Sequence, residues 1–160
     1  MKNADDILQR LCQAQIECVL VGGFAAVVYG VTIVTRDVDV CCSFSEANLL
    51  RLQSALADLH PVHRLTPQKL PLDLKPGQCG HLNNLYITTD LGILDCISEV
   101  KGVGGYAQAL QHSVPIQLPF GVFRVLDIDT LILAKEAMNR QTDQLAAAQL
   151  RAIKERIQPT

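Results

Sequence analysis

The chain has 160 residues, 49% of them hydrophobic, and a formal net charge of -2. That length supports one hydrophobic core with little room for a second, which predicts a single domain over residues 1–160. The near-balanced charge excludes a dominant electrostatic attraction to nucleic acid and leaves only local contacts with phosphate.

Residues Met1 to Arg10 carry Lys2, Asp5, Asp6 and Arg10 without a continuous apolar region, so no secretory signal is expected there. Ile7, Leu8, Leu11 and Cys12 recur at three- and four-residue spacing, which predicts an amphipathic helix over Ala4 to Ala14. Ile16 to Val21 reads as a buried strand that stops at Gly22-Gly23, and Phe24 to Tyr29 reads as a short helix ending at Gly30. The apolar window from Cys18 to Val31 is shorter than the roughly 20 residues of a membrane span, so a soluble, cytoplasmic protein without a membrane partner is expected. Asp37 to Cys42 is a second strand. Ser43, followed three residues later by Glu46, predicts a capping box opening a helix that runs to about Leu59.

Between His60 and Gly80, Pro61, Pro67, Pro71, Pro76 and Gly77 predict a long surface loop or lid. Leu85 to Thr88 and Gly92 to Ile97 read as a hairpin around Thr89-Asp90-Leu91. A glycine-rich turn at Lys101 to Gly105, a short helix over Tyr106 to Leu110, and strands over Val114 to Leu118 and Val122 to Leu126 follow. The last third changes period, with one helix through Leu131, Ile132, Ala134, Lys135 and Met138 and another over Asp143 to Ile157, hinged at Asn139-Arg140-Gln141. The expected class is α+β, a central mixed β-sheet flanked by α-helices.

The six cysteines show no regular spacing and mostly sit in apolar runs, which predicts buried free thiols in a reducing compartment. Cys79 and His81 have no CxxC beside them, so they do not make a zinc site. Asp127 and Asp129 precede a helix and read as N-terminal caps. The Gly102 to Gly105 turn lacks the lysine and hydroxyl of a P-loop.

Asp37-Val38-Asp39 has the clearest chemical meaning, because alternate residues of a strand share a face and would hold both carboxylates side by side. Two hard oxygen donors suit Mg²⁺, although two solvated aspartates at a strand end are an equal alternative on spacing alone. Gly22-Gly23, where a strand turns into a helix, offers bare backbone amides to phosphate oxygens, or else only a tight turn. Asp95 is a lone carboxylate in an apolar strand whose desolvation must be offset by a metal or by hydrogen bonds. If it meets Asp37 and Asp39, three carboxylates could hold two metal ions, with Asp95 as candidate general base.

The stretches VGGFAAVVYG, TRDVDV and LGILDCI resemble the nucleotidyltransferase superfamily, which has the DNA polymerase beta-like fold. The tail VLDIDTLILAKEAMNRQTD looks like the closing helices of the bacterial toxin–antitoxin-associated subgroup that includes AbiEii-like toxins. The resemblance implies a minimal nucleotidyltransferase domain that uses Mg²⁺ to transfer a nucleotidyl group from a nucleoside triphosphate to an RNA end or a protein hydroxyl. It places catalytic and metal-binding roles on Asp37, Asp39 and Asp95 and nucleotide binding on Gly22, Gly23 and Lys135, with Arg36 and Arg140 as further nucleotide-binding candidates. Lys135 and Arg140 also read equally as solvated helix charges. The pattern departs at Phe24, where many members carry serine, at Ile33, where an arginine is common, and at Asn139 to Asp143 in the closing helix. Those departures motivate the alternative, a non-catalytic binding module such as an antitoxin or partner-binding pseudoenzyme. The oligomeric state is left open by the sequence.

Overall fold

The computed structural model describes residues 2–157. The chain opens with α1 (Lys2–Gln13), β1 (Cys18–Val21), α2 (Gly22–Val28), β2 (Asp37–Cys42) and α3 (Glu46–Leu56). A 3₁₀ turn (Ala57–Leu59) leads to β3 (Val62–His63), β4 (Asn84–Thr89) and β5 (Gly92–Ile97). Then come β6 (Glu99–Val100), β7 (Gly104–Gly105), α4 (Tyr106–Gln111), β8 (Ser113–Leu118), β9 (Gly121–Leu126), α5 (Ile128–Met138) and α6 (Gln141–Ile157).

Seven strands form one sheet in the order β3-β4-β5-β2-β1-β9-β8, and β6 and β7 form a small separate ribbon. The large sheet is mixed: β2 is antiparallel to β1 and parallel to β5, and β9 is parallel to β1 and antiparallel to β8. This is the α+β class expected, a mixed sheet flanked by helices. The core gathers Ile7, Leu8 and Leu11 of α1, the wholly buried run of β1, and Leu49, Leu52 and Leu56 of α3. Their spacing is the apolar stripe of an amphipathic helix laid on a sheet. A second group forms where α2 packs on β1, β2, α5 and α6. Tyr29 fixes the end of α2 by donating its hydroxyl to the Leu126 carbonyl at 2.7 Å.

One local expectation is corrected and another narrowed. Ser45, not Ser43, caps α3, accepting from the Asn48 amide at 3.3 Å. The Glu46 carboxylate turns away from its own helix and accepts the Gly77 amide. The proline-rich segment after His60 is the surface loop expected, strapped to the sheet and not a free lid. It carries β3, paired antiparallel with β4, and returns through Leu72, whose amide donates to the Pro61 carbonyl at 2.9 Å.

Asp127 caps α5 through the Thr130 amide at 2.8 Å, as its position predicts. All six cysteines are free, and each is buried except the half-buried Cys12. No helix among the described residues is long and apolar enough to cross a membrane.

Candidate functional site

Strand β2 puts Asp37 and Asp39 on one face, because side chains alternate along a strand, while Val38 and Val40 go wholly into the core. The parallel pairing of β2 with β5 sets Asp39 opposite Asp95. The antiparallel pairing with β1 sets it opposite Val21, the residue before Gly22. Two acids of one strand and a third, 56 residues further along the chain, therefore share one patch of the central sheet.

Gly22 closes the patch on the β1 side. Its φ of +71° lies in the left-handed region, and a Cβ added there would fall 2.9 Å from Asp39 Cβ and closer still to a carboxylate oxygen. Only glycine lets the chain turn from β1 into α2 so near that carboxylate. Gly23 faces Thr35, whose hydroxyl lies 3.1 Å from the place a Cβ would take.

The electrostatics single out Asp39. Burial, then the charges of Asp95 and Asp37, push its carboxyl up to about 7, against smaller opposing effects of Lys135 and Arg64. No hydrogen bond figures among the causes of that shift. Burial beside two other carboxylates disfavours the charged form, a repulsion that a proton or a cation would relieve.

Asp95 is in a different condition. It is 7% exposed and both its oxygens are taken by Arg64, through Nε at 3.0 Å and through a terminal guanidinium nitrogen. Sequence reasoning missed Arg64. The signal lay in Asp95 itself, whose isolation in an apolar strand requires a partner. Which cation supplies it depends on the β3–β4 pairing, which brings residue 64 across from Tyr86.

Lys135 and Arg140 converge on another buried acid, Asp143, which is 2% exposed. Asp143 accepts from Lys135 Nζ at 3.3 Å and from Arg140 Nε at 2.6 Å. Burial alone would raise this carboxyl, but the two cations outweigh it and hold it below the usual range. Lys135, 8% exposed, is thus a buried ion-pair partner and not a solvated helix charge. The charge of Lys135 also acts to lower the Asp39 carboxyl, and Asp39 acts to raise the Arg140 guanidinium. Arg36 is exposed and, with Phe24, Thr35 and Asp37, lines a cleft of about 460 Å³.

Among the described residues, no group of three His, Cys, Asp or Glu side chains is arranged to hold a metal. The donors that fit a divalent ion are Asp37 and Asp39, two hard oxygen ligands on one strand face. Mg²⁺ commonly takes one or two carboxylates and completes its shell with water and substrate oxygens. Asp95 is adjacent, but its oxygens are committed to Arg64.

Comparison with protein-family profiles gives no match, and comparison with curated proteins gives none. Among solved structures, the chain is similar to one described as "Crystal Structure of ANT(2")-Ia in complex with adenylyl-2"-tobramycin". The identity is 13% and the TM-score 0.47, and the match covers 91% of this chain and 93% of that one.

Proposed function

We propose that the chain is a minimal nucleotidyltransferase-like domain that transfers a nucleotidyl group from a nucleoside triphosphate, with loss of pyrophosphate, to an RNA end or a protein hydroxyl. The observation that carries this reading is Asp39. Its carboxyl is pushed up to about 7, without a hydrogen bond among the causes, in register beside Asp95, two residues from Asp37 and packed on Gly22.

In this reading Asp37 and Asp39 hold Mg²⁺. Held by these two carboxylates, such an ion would supply charge neutralisation on the triphosphate and polarisation of the phosphorus under attack. Gly22 and Gly23 present backbone amides to phosphate oxygens. Asp95 is the third carboxylate of the set and accepts the proton of the attacking hydroxyl. Lys135 and Arg140, steadied by Asp143, and Arg36 at the cleft supply positive charge to the triphosphate.

A screen of labelled triphosphates with Mg²⁺ against RNA and protein acceptors tests the reading. Incorporation should fall by at least about 100-fold in Asp37→Ala and in Asp39→Ala, the scale on which removing one electrostatic stabiliser acts. Activity unchanged by both substitutions would sink it.

One observation favours a second reading, a binding module without turnover. Arg64 occupies both oxygens of the acid that would take the proton. Tight triphosphate binding without incorporation into any acceptor is the outcome that reading expects.

A further inference from the structure

We propose that Arg64 takes the place of a second cation at Asp95, so that the site holds a single divalent ion, on Asp37 and Asp39. The inference rests on the cation-binding reading above and changes its stoichiometry, since three carboxylates in this arrangement could otherwise hold two metals.

Arg64 is a built fixture of the site. Its backbone amide donates to the Tyr86 carbonyl at 3.0 Å, and its own carbonyl accepts from the Lys69 ammonium. The guanidinium lies over the Tyr86 ring, 5.4 Å from its centroid, in reach of a cation–π attraction. From there its planar fork matches the carboxylate of Asp95 oxygen for oxygen, a geometry that arginine supplies and lysine does not. Tyr86 is the in-register neighbour of Asp95 on β4, so one strand position supports the arginine and the next strand supplies its acid.

Charge balance points the same way. Of the formal negative charges on Asp37, Asp39 and Asp95, the one on Asp95 is the one Arg64 offsets directly, oxygen for oxygen. A second dication at Asp95 would have to displace the guanidinium or sit against it, with like charges in contact. Because arginine stays protonated across the working pH range, the substitution is permanent and not a titrating switch.

Titration of the full chain with Mn²⁺, followed by the paramagnetic resonance signal of the free ion near neutral pH, tests this directly. Wild type should bind one ion per chain. Arg64→Gln should gain a second, and Arg64→Lys, which keeps the charge, should remain at one. Asp95→Asn should retain the single ion, because Asp95 is not among its ligands, and the wild-type count of one against two decides the matter if Arg64→Gln fails to fold. Two ions in wild type, one ion in a folded Arg64→Gln, two in Arg64→Lys, or loss of the ion in Asp95→Asn would each overturn the role given to Arg64. No ion in wild type would overturn the cation-binding reading itself.

Discussion

Asp39 is the carboxyl that its surroundings push furthest from the ordinary range. Its carboxyl is pushed up to about 7 by burial, then by Asp95 and Asp37, whereas an aspartate in the unfolded chain titrates near 3.9. Between those values the folded state binds more protons than the unfolded one, so this group lowers stability progressively as pH rises through the window. The cost is complete above about pH 7 and absent below about pH 4. Asp39→Asn, which cannot ionise, is expected to be more stable than wild type under mildly alkaline conditions by on the order of 4 kcal/mol. The difference should vanish on acidification. Denaturant unfolding with a chelator present measures it, and a difference that grows towards acid would contradict the assignment of Asp39 as the strained acid. The sequence made the Asp37 and Asp39 pair legible because period-two alternation is enough to put both on one face. It did not reveal which of the acids lacks a donor, because that depends on Arg64, which reaches Asp95 and not Asp39.

Elements decide which charges meet. Strands β2 and β5 carry the residue bounds that hydrophobic patterning predicts, Asp37–Cys42 and Gly92–Ile97, because each is a short apolar run punctuated by its own turn signals. The closing helices were legible as helices, but not as an ion-pair device. Lys135 meets Asp143 across the α5–α6 turn, where the Asn139 backbone takes the left-handed conformation, and no local sequence rule encodes that meeting. Asp143→Ala leaves a buried ammonium without its partner. Loss of one member of such a pair costs roughly 3 kcal/mol or more, which equilibrium urea unfolding would register. Since Asp143 is held below the usual carboxylate range, its contribution is present above that range and lost as pH falls through its lowered value. The loop after His60 shows the opposite kind of failure. Its prolines correctly mark the absence of long elements, yet β3 and the returning Leu72 strap it to the sheet and deliver Arg64. Hydrogen bonds formed across distant positions, not local propensity, fix it.

For the molecule as a whole, function rests on sheet order. Placing β2 between β5 and β1 gathers Asp37, Asp39, Asp95 and Gly22 at one patch, with α2, α5 and α6 packed together beside it. The α+β class was legible because strand-length and helix-length periods alternate along the chain. The strand order was not, since parallel pairing of β2 with β5 joins segments separated by α3 and the strapped loop. The central claim is that this patch binds a divalent ion together with a nucleoside triphosphate. Calorimetric titration of Mg²⁺ with a non-hydrolysable triphosphate into wild type and the Asp37→Asn, Asp39→Asn double variant tests it most directly. Binding to wild type that depends on Mg²⁺ and is lost in the double variant is the predicted result. Equal binding by both proteins, or none by wild type, would contradict it.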